Sequence, residues 1–165
     1  MIRALAIVLC VAACSGAKGG GPNMNNSMNG GAEQTPQASD VVTGDILARE
    51  ANTNSAVVKH ILIGWNDGDG GKDAGKDPRA AKRTKKDAED QVRSLMKMIA
   101  GGADFDALMK QWSEDPGSAQ SGHPYAVTPS ASLVIEFKQL GLKLKINEVG
   151  VVQSEYGFHI MKRVE

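Results

Sequence analysis

Residues 15–39 most limit what this chain can fold into, because they form a long stretch that is unable to build a hydrophobic core. Gly, Asn, Ser, Met, Gln and Pro dominate this stretch without helical or strand periodicity, as in the run Gly19–Asn23. Such a composition buries too little apolar surface to offset the entropy lost on ordering. We therefore predict a flexible linker over residues 14–55, with at most a short helix or strand within residues 40–54, and one folded domain over residues 56–165.

The N-terminus has the form of an export signal. A positive charge precedes the apolar run Ala4–Ala13, which is too short to span a bilayer and ends in small residues. The sequence Val11-Ala12-Ala13-Cys14 resembles a bacterial lipobox, in which the cysteine receives lipid. We predict a signal peptide over residues 1–13, lipidation of Cys14 and anchoring in a bacterial cell envelope. Ser15 favours sorting to the outer membrane, facing the periplasm; an ordinary cleaved signal peptide is the alternative.

Charge and cysteine content exclude several functional classes. The 19 Lys and Arg residues balance 19 Asp and Glu residues, and aromatic residues make up only 4% of the chain. Nucleic-acid-binding domains normally have a basic excess, and single-strand binding uses aromatic platforms, so we predict no nucleic-acid partner. Both cysteines, Cys10 and Cys14, precede the predicted domain. A disulfide framework, a cysteine zinc site and a cysteine nucleophile are therefore excluded from that domain.

Hydrophobic periodicity predicts a small α+β domain. A β-branched run over Val57–Ile63 predicts the first strand, and a hairpin with strands at Val149–Gln153 and Phe158–Val164 closes the chain. Three helices and a short strand are predicted between them. The helices begin at Asp77-Pro78 or Thr84, at Asp104, and at Thr128-Pro129; Gly101-Gly102 ends the first, and the short strand covers Tyr125–Thr128. This order of strands and helices is typical of an α+β fold.

Two of the three histidines lie inside predicted strands. His60 and His159 each share a strand face with apolar neighbours, where a single histidine is more often a structural residue. These two, however, lie in the first and last strands of the domain. If those strands are adjacent, the rings can hydrogen-bond across the sheet and orient a third polar group. Asp115, in the turn after Trp112, is the candidate for that group.

Four motifs of the predicted domain resemble, in order and spacing, those of the parvulin-type peptidyl-prolyl isomerases. They are Val58–Ile63, Gly102-Ala103-Asp104-Phe105-x-x-Leu108, Trp112-Ser113-Glu114-Asp115-x-x-Ser118-Ala119 and Gly157–Ile160. The resemblance covers residues 57–165 and implies a four-stranded antiparallel sheet surrounded by about three helices. It also implies cis/trans isomerisation of X-Pro bonds without a cofactor or metal. With the export signal, it predicts a monomeric cell-envelope folding factor that acts on proline-containing, unfolded or exported polypeptides.

The resemblance also assigns roles to particular side chains. The residues that match the family's catalytic network are His60, Asp115, Tyr156 and His159, and those that match the apolar wall for the proline ring are Leu133 and Phe137. Parvulins usually carry Gly-Gly-x-Leu-Gly before that wall, and the leucine lines the pocket. The segment here is Ser121-Gly122-His123-Pro124-Tyr125-Ala126. We therefore expect Pro124 to replace the leucine, or Tyr125 to fill the gap.

Other functions stay open at this point. The altered glycine segment also fits a catalytically weak or inactive chaperone or peptide-binding module that keeps the parvulin fold. A metal site of His60, His123, His159 and Asp115, and a hydrolase that uses Ser118 as nucleophile, are weaker alternatives, because neither has the spacing that such sites need.

The loop after the first predicted strand affects the choice of substrate. Some parvulins use a basic cluster there to select a phosphorylated residue before proline. Lys72, Lys76 and Arg79 are here interspersed with Asp67, Asp69, Asp73 and Asp77. Because alternating charges make a poor anion site, we predict no phosphate requirement.

Overall fold

Residues 39–66 and 77–165 are described by the computed structural model. The predicted signal peptide, Cys14, the linker up to residue 38 and the loop residues Lys72 and Lys76 lie outside these ranges. The described helices are α1 (Gly44–Leu47), α2 (Lys85–Ala100), α3 (Phe105–Trp112) and α4 (Ile135–Gly141), with a 3₁₀ turn at Ala80–Lys82 and a π-helical turn at Gly117–Ser121. The strands are β1 (Ala56–Ile63), β2 (Tyr125–Val127), β3 (Val149–Ser154) and β4 (Gly157–Arg163). Within these ranges, no helix has the length and apolar character needed to cross a membrane.

The four strands form one antiparallel sheet in the order β2-β1-β4-β3, so the first and last strands of the chain lie side by side at its centre. In the β1–β4 pair, Leu62 lies opposite His159 and His60 lies opposite Met161. The predicted α+β class and four-stranded antiparallel sheet are confirmed. Four α-helices rather than about three are present in the described part of the chain, because the single-turn α1 precedes the predicted domain.

Both faces of the sheet are buried. Ile61 and Ile160 belong to a core shared with α2 and α3, whereas Val58 and Met161 belong to a second core shared with α4. Successive side chains of a strand point to opposite faces. His60 therefore lies on the α4 face of the sheet, with Val58.

Short-range signals determine where α2 and α3 begin. Thr84 and Asp87 form a reciprocal capping box at the start of α2, so the helix begins there and not at Asp77-Pro78. The Asp104 side chain accepts a hydrogen bond from the N–H of Ala107 at the start of α3. A capping side chain of this kind stabilises a helix by about 1 kcal/mol, because it satisfies an N–H that has no intrahelical partner.

The third predicted helix begins later than Thr128-Pro129, so that prediction is wrong. Helix α4 starts at Ile135. The Thr128 hydroxyl lies 3.3 Å from the Ser130 hydroxyl instead of capping a helix, and the N–H of Ala131 donates to the Thr128 carbonyl. Serine and threonine favour such local bends over helix interiors. Residues 128–134 therefore approach α4 as a series of bends along the cleft described below.

The folded part of the chain extends upstream of the predicted boundary at residue 56. Ile46 in α1 is 4% exposed and belongs to the core shared with α4. Thr43 hydrogen-bonds to the backbone of Val151 in β3 through both its own N–H and its hydroxyl. The linker prediction is therefore wrong for the part just before β1, because this segment covers the edge of β3, whose backbone groups need partners.

Candidate active site

A cleft of about 240 Å³ lies on the α4 face of the sheet. Its lining residues are His60, Leu62, Asp115, Tyr125, Ser132, Leu133, Val134, Phe137, Tyr156 and His159. Of the eight side chains that the sequence assigns to the domain's site, all but Pro124 therefore line one cleft.

The two histidines meet across the β1–β4 pair. Nδ1 of His60 lies 3.2 Å from Nδ1 of His159, and the rings are nearly parallel with centroids 5.3 Å apart. Each residue is 5% exposed. The contact arises because residues 60 and 159 lie on the same face of adjacent strands, two residues apart in the register. The two strands that carry the histidines are thus neighbours, which the sequence alone left as an assumption.

Asp115 is positioned by the segment that precedes it. The N–H of Glu114 donates to the carbonyl of Leu62 at 2.9 Å, and the Ser113 hydroxyl accepts from the N–H of Leu62 at 3.1 Å. The Glu114 carboxylate is itself buried and lies 2.7 Å from the Arg83 guanidinium. This segment therefore binds the end of β1, and the position of the Asp115 backbone follows from it.

Four hydrogen-bond contacts converge on one oxygen of Asp115. Its Oδ2 accepts from the N–H of Ser118 at 2.8 Å, from the Ser118 hydroxyl at 2.7 Å and from the Tyr125 hydroxyl at 2.9 Å. Nε2 of His60 lies 3.3 Å from the same oxygen. Hydrogen bonds to a charged acceptor are stronger than those between neutral groups. The carboxylate is thus held in one orientation, toward His60.

The protons of this network can be assigned from its ends. The Asp115 carboxylate only accepts, so His60 donates through Nε2 and, when neutral, accepts at Nδ1. His159 then donates through Nδ1, and its Nε2 accepts from the Ser154 hydroxyl 2.7 Å away. The Ser154 oxygen accepts in turn from the backbone N–H of Tyr156 at 3.1 Å. Every donor meets an acceptor, and each histidine has a single tautomer.

Burial and hydrogen bonding shift the pKa of three groups in the cleft. Burial acts to raise the pKa of Asp115, but hydrogen bonds from His60 and Ser118 outweigh it and hold that pKa below its usual range. Burial lowers the pKa of His159 to about 3, and the neighbouring His60 acts in the same direction. Burial and the Asp115 carboxylate raise the pKa of Tyr125 to about 12. At neutral pH, the cleft therefore holds a charged carboxylate, a neutral His159 and a protonated phenol.

We expect the free energy of unfolding to fall as the pH is lowered from about 6.5 toward 3. In this window unfolded His159 binds a proton, whereas folded His159 stays neutral until its pKa of about 3. The unfolded state thus binds more protons, and each pH unit removes up to about 1.4 kcal/mol. Below about pH 4 the lowered pKa of Asp115 acts in the same direction.

Urea titrations between pH 7 and 3 check this prediction. The His159→Gln variant should lose stability less steeply than the wild type, and His123→Gln, at an exposed position, is the control. Equal slopes for the wild type and His159→Gln would contradict a buried neutral ring.

Aromatic rings and aliphatic side chains form the apolar wall of the cleft. Phe137 is 2% exposed, and its ring stands edge-on to both imidazoles, with centroid distances of 5.1 Å to His60 and 5.4 Å to His159. Tyr125 stands edge-on to His60 at 5.0 Å, and Leu133 packs against the same core. An apolar surface and a polar network thus share one cleft, which suits a ligand that carries a small apolar ring beside a polar amide.

The structure places Tyr125, and not Pro124, in the wall. Pro124 is exposed and lies outside the cleft. When the pattern Gly-Gly-x-Leu-Gly is aligned on Gly122, its leucine falls on Tyr125. The expectation that Pro124 replaces this leucine is therefore wrong, and Tyr125 fills the gap instead. The physical reason is the strand: Tyr125 begins β2, pairs with Val58 and points to the α4 face.

Ser154 and Ser118 complete the network, and the sequence does not reveal either role. Ser154 ends β3 five residues before His159, and its hydroxyl reaches that ring only because the hairpin closes at Gly157. Ser118 belongs to a family motif, but its partner is apparent only in the folded turn. The sequence signal for these roles is only that each serine lies close to a candidate residue: Ser118 is three positions after Asp115, and Ser154 is five positions before His159.

Neither chemical alternative is supported by this geometry. The Ser118 hydroxyl is fully buried and donates to Asp115, so it does not face a histidine as a nucleophile would. His123 is exposed and is not among the residues that line the cleft. Within residues 39–66 and 77–165, no three His, Cys, Asp or Glu residues are grouped so that they could hold a metal ion.

The fold and the cleft together define the class of protein. A four-stranded antiparallel sheet with crossed strand order, a histidine pair on its central strands, a fixed carboxylate and an apolar wall are the features that the resemblance to parvulin-type isomerases implied. A family model described as the PPIC-type PPIase domain matches residues 45–165. The chain belongs to this family of peptidyl-prolyl isomerases, and the resemblance is confirmed.

Curated relatives and solved structures agree with this assignment. The foldase protein PrsA of Geobacillus kaustophilus is 36% identical over 75 residues, which cover 45% of this chain and 27% of the relative. The chaperone SurA of Chromohalobacter salexigens is 30% identical over 106 residues, which cover 64% of this chain and 21% of the relative. The chain thus spans about a quarter of the length of these relatives.

Two solved structures share the fold. The peptidylprolyl isomerase PrsA from Bacillus cereus has a TM-score of 0.50 and 27% identity, over 74% of this chain and 38% of that one. The solution structure of TbPIN1 has a TM-score of 0.55 and 25% identity, over 68% of this chain and 99% of that one. The second comparison shows that this domain corresponds to nearly the whole of an independently folded protein.

Proposed function

We propose that this cleft isomerises X-Pro bonds. The polar residues His60, Asp115, Tyr156 and His159 form the catalytic network, and the side chains of Leu133, Phe137 and Tyr125 form the wall that binds the proline ring. The observation that carries the proposal is the edge contact of Phe137 with both imidazoles, beside a carboxylate that stays charged.

The reaction requires rotation about a bond with partial double-bond character, at a barrier of about 18–20 kcal/mol. Each 1.36 kcal/mol removed from that barrier raises the rate tenfold. No bond to the substrate has to form, and no cysteine follows Cys14 in the chain. Catalysis therefore depends on groups that interact with the twisted amide more favourably than with the planar one.

The proposed roles follow from the two parts of the cleft. The apolar wall holds the proline ring while the rest of the peptide turns about the amide bond. The planar amide places partial negative charge on its oxygen, and the Asp115 carboxylate disfavours that form when the oxygen lies close to it. The twisted amide has lost this charge separation, so it is destabilised less. The histidine pair holds the carboxylate in place through the contact of His60 with Asp115, and His159 stays neutral because burial lowers its pKa.

An isomerisation assay tests the proposal. The purified protein should accelerate cis/trans exchange of a short Ala-Pro peptide, measured by NMR exchange spectroscopy, with heat-inactivated protein as the control. Absence of acceleration, together with suppression of aggregation of an unfolded client, would favour the catalytically inactive chaperone instead.

We further propose that the substrates need no phosphate before proline. Arg79 lies 2.7 Å from Asp77, and Arg83 lies 2.7 Å from Glu114, so both guanidinium groups are already paired. None of the side chains that line the cleft is a lysine or arginine. The catalytic efficiency, kcat/KM, should therefore be no higher for peptides with Glu or phosphoserine before proline than for the Ala-Pro peptide.

The cellular role is proposed to be folding of exported proteins at the bacterial cell envelope. The names foldase and chaperone, carried by the relatives PrsA and SurA, support this role. In this proposal residues 1–13 are a signal peptide and Cys14 carries lipid. The linker after Cys14 connects the lipid to a monomeric domain at the outer membrane, facing the periplasm.

We expect Cys14→Ser to abolish membrane attachment, because the lipid is the proposed anchor. In a Gram-negative host the variant should accumulate as soluble protein or as unprocessed precursor, as seen by membrane fractionation and by the mass of the N-terminal peptide. Cys10→Ser is the matched control and should remain membrane-bound. A correctly cleaved Cys14→Ser protein that stays in the membrane would contradict the anchor.

A further inference from the structure

Tyr125 links the apolar wall of the cleft to its polar network. Its ring stands edge-on to His60 at 5.0 Å and lies 5.8 Å from the ring of Phe137. Its hydroxyl donates to Oδ2 of Asp115 at 2.9 Å. The leucine that the family pattern has at this position could form the wall but could not reach the carboxylate, so this hydrogen bond is a property of the present chain.

The backbone beside Asp115 leaves space for this hydroxyl. A Cβ added to Gly117 would lie 3.0 Å from the Tyr125 hydroxyl oxygen and 3.3 Å from Oδ2 of Asp115. Both distances are shorter than ordinary van der Waals contact. Gly117 opens the π-helical turn whose next residue, Ser118, also donates to Asp115. The Tyr125–Asp115 hydrogen bond therefore depends on a glycine at position 117.

Tyr125 differs from Ser118 in the element that carries it. Ser118 belongs to the same turn as Asp115, so its two hydrogen bonds move with that turn. Tyr125 lies in β2, which pairs with β1, and β1 carries His60. The Tyr125 hydroxyl therefore joins the carboxylate to the strand next to the one that carries His60.

We propose that Tyr125 is a positioning residue for the isomerase reaction, whose hydroxyl fixes the Asp115 carboxylate against His60 while its ring contacts the bound proline. The inference rests on the proposed role of the cleft. The raised pKa of the Tyr125 phenol, about 12, supports it, because the hydroxyl is a donor at neutral pH. Substrate binding at the wall and the orientation of the carboxylate are then coupled through one side chain.

The first test separates the hydroxyl from the ring. Tyr125→Phe keeps the wall, so kcat should fall about tenfold while KM stays within about twofold. Tyr125→Leu restores the family's residue and should show the same loss in kcat, together with a changed KM. The ¹⁵N signal of the His60 ring should shift in Tyr125→Phe, which keeps the aromatic ring beside His60, so a loss of packing would not explain the shift.

The second test uses Gly117. In the wild type, Gly117→Ala should displace the hydroxyl and lower kcat about as much as Tyr125→Phe does. In the Tyr125→Phe background the same substitution should have a smaller effect than in the wild type, because only its contact with Asp115 remains. Thermal melts of all variants establish that they are folded.

The outcomes separate this inference from the proposed function. An inactive wild-type protein would overturn the proposed function itself. With an active wild type, two results would overturn the inference alone: an unchanged kcat in Tyr125→Phe, with or without a change in KM, or an effect of Gly117→Ala as large in the Tyr125→Phe background as in the wild type. Reduced kcat, non-additivity with Gly117→Ala and a shifted His60 signal support it.

Discussion

Asp115→Asn is expected to lower the turnover number about 100-fold and also to lower the dissociation constant of an X-Pro peptide, because the charge no longer disfavours the bound planar amide. Asn has the shape of Asp but no charge, so the contacts of Ser118 and Tyr125 can be kept in part. What is lost is the negative charge that disfavours the planar amide, and this interaction differs between the ground state and the transition state. A fall in kcat together with tighter binding of the peptide is the signature of a group that destabilises the ground state.

Phe137→Leu is the matched comparison for the apolar wall. Leucine preserves the core that Phe137 shares with Leu140, whereas alanine would leave a cavity that costs about 3–5 kcal/mol. We expect KM and the peptide dissociation constant to rise severalfold in this variant, with a smaller effect on kcat. Peptide titration and exchange kinetics on both variants measure the difference. Wild-type turnover in Asp115→Asn would show that the charge of Asp115 has no catalytic role.

Gly157→Ala is expected to lower the free energy of unfolding by at least about 3 kcal/mol. Gly157 opens β4 with φ at +140°, a region that residues with a Cβ rarely adopt. A Cβ there would lie 2.5 Å from the carbonyl oxygen of Ile63 and 3.0 Å from Cα of Gly64. Because both contacts are with backbone, neither can be relieved by a rotamer change, and β4 must move away from β1.

Gly44→Ala is the control for this prediction. A Cβ at Gly44 meets no heavy atom within 4 Å, and alanine is favoured over glycine in a helix by up to about 1 kcal/mol. Urea denaturation should therefore show unchanged or slightly increased stability for Gly44→Ala and a large loss for Gly157→Ala. Similar stabilities of the two variants would contradict the close approach of the hairpin to β1.

The His60–His159 contact spans the same strand pair, so activity should fall with stability in Gly157→Ala.

The sequence predicts the fold best where its signals are local. A run of β-branched residues marks β1, and the Thr84 capping box and the Asp104 cap mark the starts of α2 and α3. Each of these signals acts between residues a few positions apart, so no long-range contact has to be known. The wrong start of α4 arises where two local signals compete: Thr128-Pro129 fits a helix start, but hydrogen bonds among Thr128, Ser130 and Ala131 form bends there instead.

Within the candidate site, the sequence identifies residue types but not their partners. His60, His159 and Asp115 were identifiable from their motifs, and seven of the eight assigned domain residues line the cleft. The prediction for Pro124 is wrong because it aligns the family pattern one residue too early in a short loop. The direction of β2 then decided which side chain entered the wall, because a shift of one residue in a strand exchanges its faces.

The sequence by itself determined that the domain is α+β, that its chemistry does not use a thiol, and that two histidines lie in its first and last strands, since these properties depend on composition and local pattern. Only the tertiary structure decided that those strands are neighbours, that Ser154 and Asp115 fix the tautomers of the two rings, and that Tyr125 joins the wall to the carboxylate. The physical reason is that a hydrogen bond forms within about 3 Å, and residues as far apart in the chain as 60 and 159 reach that distance only through the pairing of β1 with β4.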